Sequence, residues 1–124
     1  MRTSVEAAIR SSVRPGEVLP TPTCTATFVV DQLGADGLSL LFGPKKTRTL
    51  LTWRCLEGVP GYLRGQGWVL VGANRNVHGD YGLDGYFKRW IKRQLADYVA
   101  VVLERAGVLE LDRERPARVR LTDR

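Results

Sequence analysis

Cysteine is nearly missing from this chain: Cys24 and Cys55 are its only two among 124 residues. Two thiols make neither a disulfide framework nor a zinc-ligand spacing. Each lies in an apolar stretch, which predicts buried, reduced thiols in a cytoplasmic protein. Histidine occurs once, as His78, which excludes a histidine-based metal cluster. A Cys–His nucleophile pair would have to join His78 to Cys24 or Cys55, and neither has a supporting motif. No Gly-rich loop leads into Lys-Ser or Lys-Thr, and no HExxH occurs. Asp31, Asp36 and Glu57 are scattered, without the lysine that accompanies the clustered carboxylates of metal-dependent nucleases. No apolar run approaches the roughly 20 residues of a membrane span. The mixed segment around Arg2 and Glu6 lacks the apolar centre of a signal peptide. These absences predict a binder with no catalytic group, no metal and no cofactor.

What is present is positive charge, unevenly placed. Lysine and arginine number 19 against 13 carboxylates, for a formal charge of +6. From Pro44 to Arg93 the cations are Lys45, Lys46, Arg48, Arg54, Arg64, Arg75, Lys88, Arg89, Lys92 and Arg93. Against them stand only Glu57, Asp80 and Asp84, so this middle section carries +7 and the two ends together are slightly acidic. Such a concentration points to nucleic acid before acidic proteins or anionic lipid. The apolar share of 44% suits one globular domain spanning 1–124 with one core.

The periodicity predicts an α+β fold: a small antiparallel sheet packed on one long C-terminal helix, then a C-terminal β-hairpin resembling a wing. Thr3 to Val13 reads as a short helix ending before Arg14-Pro15-Gly16. The segment after Glu17, with alternating threonines and two prolines, reads as an edge strand. Phe28–Leu33 and Leu38–Phe42 read as strands joined by the hairpin signal Gly34-Ala35-Asp36-Gly37, and Thr47–Trp53 as the next strand of a meander. Arg54 to Gly65 reads as a helical turn with Pro60 near its start. Gly67 opens WVLVGA, an apolar strand expected inside the sheet. The long helix is expected from Leu83 to Arg105, capped by Asp80 and stopped by Gly107. Leu83, Phe87, Trp90, Ile91, Leu95, Tyr98, Val102 and Leu103 form its buried stripe. Leu109 and Leu111 then pair with Val119 and Leu121, with a bend at Asp112–Pro116.

On that helix Lys88, Arg89, Lys92 and Arg93 fall off the stripe as two like-charged i,i+4 pairs, each costing an isolated helix about 0.2–0.5 kcal/mol. An anionic partner outside the chain would account for keeping them; an ordinary solvated face is the alternative. The loop Asn74–Gly82 is the best site candidate. Asn74, Arg75, Asn76, His78 and Tyr81 crowd there, and Arg and Asn are the side chains that read guanine and adenine edges. Asn and Gly satisfying unusual backbone angles in a turn is the competing reading. Lys45, Lys46 and Arg48, in and beside a β-turn, suit phosphate oxygens or merely a solubilising tip, and Arg64 adds to the same basic section. Trp90 is assigned to the core, whereas Trp68 and Tyr86 are candidates for a shallow aromatic pocket. Arg113, Arg115 and Arg118 follow a DNA groove as wings do, or are neutralised by Glu110, Asp112 and Glu114.

The succession FVVDQLGADGLSLLFG, TRTLLTWRCLEGVPGYLRGQGWVLVGA and LDGYFKRW…YVAVVLERAGVLELDRERPARVRL resembles a family of small actinobacterial proteins that bind DNA carrying 5-methylcytosine, related to the recognition domains of modification-dependent restriction enzymes. The likeness covers the chain from about Pro15 onward and rests on general pattern, with no base-contacting residue to carry over. It implies a non-catalytic reader of modified duplex DNA. One buried methyl is worth only about 0.8 kcal/mol. Selectivity would therefore need an arginine on the adjacent guanine, tight aromatic packing or base extrusion. Arg75 with Trp68, Tyr81 or Tyr86 is the grouping expected to supply it. Two other functions fit the same residues: a winged-helix regulator of unmodified DNA, or an adaptor or antitoxin-like module docking on an acidic protein.

Overall fold

The computed structural model describes residues 4–22, 26–43, 45–71, 82–91, 95–113 and 117–122. Helix α1 (Val5–Ser12) starts where the Ala7 amide donates to the Ser4 hydroxyl at 3.0 Å, and stops at Val13, two residues ahead of Pro15. The amides of Val5 and Glu6 both donate to the Glu57 carboxylate, 3.0 Å each, so a distant acid completes the cap. Four antiparallel strands follow as a meander: β1 (Val18–Pro20), β2 (Thr27–Leu33), β3 (Gly37–Phe42) and β4 (Thr47–Thr52). The β2–β3 hairpin turns where Gly34 and Gly37 predict it. A Cβ on Gly37 would stand 2.1 Å from the Leu51 carbonyl oxygen, so only glycine lets β3 approach β4 there. Phe28, Val30, Leu38, Leu40 and Leu51 on the inner face are buried.

Thr52 caps α2 (Trp53–Glu57), and Pro60 sits in the first turn of α3 (Val59–Leu63), so the expected helical turn is two short helices. The apolar run after Gly67 gives only β5 (Val69–Leu70). It does not enter the first sheet. It forms the edge of a second, ordered β5–β7–β6 with β6 (Leu109–Asp112) and β7 (Arg118–Leu121). Leu109 pairs with Leu121 and Leu111 with Val119, the expected register.

The α+β class and the C-terminal hairpin match the sequence reading; the single long helix does not. The stretch 82–105 is broken into α4 (Gly82–Lys88) and α5 (Ala96–Arg105). Trp90 and Ile91 both donate their amides to the Phe87 carbonyl, at 2.9 and 2.8 Å, which closes α4. Leu95 enters α5 with φ −136° and ψ 1°, outside the helical region. Leu83, Phe87, Leu95, Val102 and Leu103 are all buried as the stripe requires. Periodicity reports which residues face inward, not whether the axis between them is continuous. Here α4 packs on β5. Helix α5 packs on β6, and Tyr98 reaches the first sheet, stacked on Phe42 at 4.3 Å and edge-on to Phe28 at 5.2 Å. No helix of the described residues is long and apolar enough to cross a membrane.

Candidate nucleic-acid interface

Residues 71 and 82 are pinned side by side. The Asp84 amide donates to the Val71 carbonyl at 2.9 Å, and the Val71 amide to that of Ala117 at 3.0 Å. The Tyr62 hydroxyl donates to the Gly82 carbonyl at 2.9 Å. Gly82 has φ +70°, and a Cβ there would lie 2.3 Å from the Leu70 carbonyl oxygen. The loop rooted here is the one expected to read bases. Asn74, Arg75, Asn76, His78 and Tyr81 themselves, with Asp80, lie outside the described residues, as do Lys92, Arg93 and Arg115.

From this root an aromatic series runs outward. Tyr62 lies 5.0 Å from Tyr86, and Tyr86 lies 6.5 Å from Trp90, ring centre to ring centre. Tyr86 is buried and donates its hydroxyl to the Cys55 carbonyl at 2.6 Å. Burial, then the nearby Cys55 charge, pushes its phenol up to about 12, with the Trp90 side chain pulling the other way. Tyr86 therefore supports the site from within and does not line a pocket. Burial also lifts the Cys55 thiol to about 12, the inert core cysteine that the sequence predicts. Trp90 is the converse correction. It is 46% exposed, because the helix ends at Lys88 and the residue leaves the phase of the buried stripe.

The cations divide into paired and unpaired. Lys88 Nζ stands 3.1 Å from Asp84 Oδ2, an i,i+4 pair. Asp84 is wholly buried and neither of its oxygens accepts a hydrogen bond among the described residues, where the ammonium is its main compensation. Arg48 is held by Asp31 at 3.0 Å. In the hairpin region Arg113 pairs with Glu104, Arg118 with Asp112 at 3.0 Å, and Arg120 with Glu110 at 2.7 Å. The Arg120 guanidinium also lies 4.7 Å above the Trp68 ring. Trp68 is 41% exposed, as an aromatic contact residue should be, yet that ring face is covered. Lys45, Lys46, Arg64 and Arg89 are exposed and make no ion pair among the described residues. Arg64 caps the C-terminal end of α3, two residues after Tyr62. Lys45 and Lys46 sit in the turn after Phe42, which the Phe42–Tyr98 stack brings to the first turn of α5.

Reading by residue type missed Trp90 and the exposed Arg54 of α2, which makes no ion pair among the described residues. For Trp90 the available signal was its setting, an indole inside the basic run Lys88-Arg89-Trp90-Ile91-Lys92-Arg93. Nothing in the sequence announces that Asp84 is buried. No family model, no curated protein and no solved structure matches this chain.

Proposed function

We propose that this protein is a non-catalytic double-stranded DNA-binding module of the cytoplasm, associated with the nucleoid, that grips phosphates with Lys45, Lys46, Arg64 and Arg89. The observation that carries the reading is the division of charge. Among the described residues, Lys45 and Lys46 in the β3–β4 turn, Arg64 at the end of α3 and Arg89 just after α4 make no ion pair, whereas Arg113, Arg118 and Arg120 of the hairpin are matched. Unpaired exposed cations are what a polyanion recruits, because they release counterions without first breaking an ion pair. The neutralised hairpin weighs against the winged-helix alternative, in which Arg113 and Arg118 would track the backbone.

In its finer form the proposal adds that Arg75 and its neighbours read 5-methylcytosine beside a guanine. Gel shifts on methylated, hemimethylated and bare duplexes of one sequence, across a salt series, test both levels. Log affinity should fall steeply with log salt, by about 0.9 per phosphate contact, and the methylated duplex should bind tightest. Arg75→Ala should weaken binding to the preferred site much more than to random DNA. Equal affinity for all three duplexes would remove the modified-base reading. No shift at low salt would remove DNA altogether and favour an acidic protein partner.

A further inference from the structure

Two indoles face solvent to a similar degree, and their ring faces differ. Trp68 lies under Arg120, which Glu110 holds in turn. Trp90 has no guanidinium or ammonium over it among the described residues, and its one recorded ring neighbour is Tyr86, tilted by 47°. Its backbone is fixed, with the amide donating to Phe87. Tryptophan is highly buried on average, so an anchored indole left 46% exposed calls for an explanation. The other exposed large apolar residues, Val18 and Leu50, are aliphatic and lie in β1 and β4 of the first sheet, where the neighbouring Arg48 is already paired. Trp90 instead directly follows Arg89, which makes no ion pair among the described residues.

We infer that Trp90 supplies a stacking face for a nucleobase displaced from the duplex stack, with Arg89 holding the adjacent phosphate. Every base offers a π face, and a rigid aromatic next to a backbone-holding cation is the general means by which proteins retain an unstacked base. The inference rests on the DNA-binding reading above and goes further in naming the contact. It also exchanges the roles that composition assigns to the two tryptophans: Trp68 is covered by Arg120, and Trp90 has no cation over its ring among the described residues.

The test titrates the full-length protein with a fully paired duplex and with the same duplex carrying one mismatched base pair. Anisotropy of labelled DNA and tryptophan emission are followed together at low salt. Wild type should bind the mismatched duplex more tightly, because the displaced base is cheaper to extrude there, and its emission should be quenched. Trp90→Ala should lose roughly 5- to 100-fold in affinity and lose the preference. Trp90→Phe should keep most of the affinity, and with it the quenching should largely disappear. Trp68→Ala should bind as wild type does. If Trp90→Ala, melting as wild type does, binds both duplexes unchanged, or if wild-type emission does not respond to bound DNA, the stacking role is overturned while DNA binding stands. If wild type binds neither duplex at low salt, the DNA reading fails, and this inference fails with it.

Discussion

The segments 88–93 and 110–120 hold four lysines or arginines each; among the described residues Arg113, Arg118 and Arg120 of the second are all paired, and Arg89 of the first is not. Antiparallel register sets Glu110 opposite Arg120 and Asp112 opposite Arg118, so each cation of β7 meets a carboxylate on β6. In α4 the equivalent partner must lie three or four residues earlier. Lys88 finds Asp84 there, whereas Arg89 finds Tyr86 and Gly85 and makes no ion pair among the described residues. Composition already separates the two stretches, since 110–120 contains Glu110, Asp112 and Glu114 and 88–93 contains no acid; the geometry of the element decides which pairs form. A binding surface is thus marked less by how many cations it has than by how many lack a carboxylate at the right spacing.

The largest expected effect lies where residues 71 and 82 meet. Gly82→Ala places a methyl within van der Waals overlap of the Leu70 carbonyl and forces a side chain into φ +70°. The expected cost is about 3 kcal/mol, read from the denaturant midpoint. Unchanged stability would mean that residues 71 and 82 are not rigidly joined.

A smaller effect separates Lys88 from its neighbour. Lys88→Met strips the buried Asp84 of its ammonium and should cost about 1–3 kcal/mol, less than for a wholly buried pair because the lysine is partly solvated. Asp84→Asn removes the charge itself and should change stability by less than about 1 kcal/mol. The double variant should recover most of what Lys88→Met loses, a coupling that a double-mutant cycle measures directly. If Lys88→Met is neutral to folding but weakens DNA binding, Lys88 belongs with Arg89 and not with Asp84.

Removing either of two arginines should cost little stability. Arg120→Ala uncovers Trp68 and frees Glu110, for about 0.5–1 kcal/mol, and should leave DNA affinity alone. Arg89→Ala should leave folding within about 0.5 kcal/mol and reduce the salt slope of DNA binding by about 1. Reversed outcomes would transfer the binding surface to the hairpin.

Local rules explain what was legible in the sequence. Ser4 and Pro15 bracket α1, Gly34 and Gly37 make the hairpin, and alternating Leu109, Leu111, Val119 and Leu121 set the last register, each within a few residues of its cause. The break after Lys88 was not legible, because Phe87 and Leu95 are buried equally well by one helix or two. The two tryptophans exchanged roles for the same reason. Trp90 sits in phase with the stripe only if the helix continues, and Trp68 meets Arg120 only once β5 pairs with β7, about 50 residues away. Tyr86 looks like a contact aromatic until its hydroxyl is seen to serve Cys55, 31 positions earlier. Long-range pairing decided Trp68 and Tyr86, and the local end of α4 decided Trp90.

Asp97 carries the comparison to its weakest and most specific consequence. The hairpin carboxylates Glu110 and Asp112 each face an arginine; Asp97, at an exposed position in the first turn of α5, has no ion pair among the described residues. A helix N-terminus alone would favour the ionised form. Its carboxyl is nonetheless raised above the ordinary 3.8, first by desolvation and then by the charge of Asp84. The folded state therefore holds this proton more tightly than the unfolded chain does. Its contribution to stability is greatest at low pH and is lost as pH climbs from the ordinary carboxylate range through the raised value. Asp97→Asn removes that loss, so urea midpoints for the variant and wild type should coincide in acid and separate toward neutrality, with the variant higher. Parallel curves at every pH would mean that Asp97 is as well compensated as the acids of the hairpin, and that the two regions differ in their cations alone.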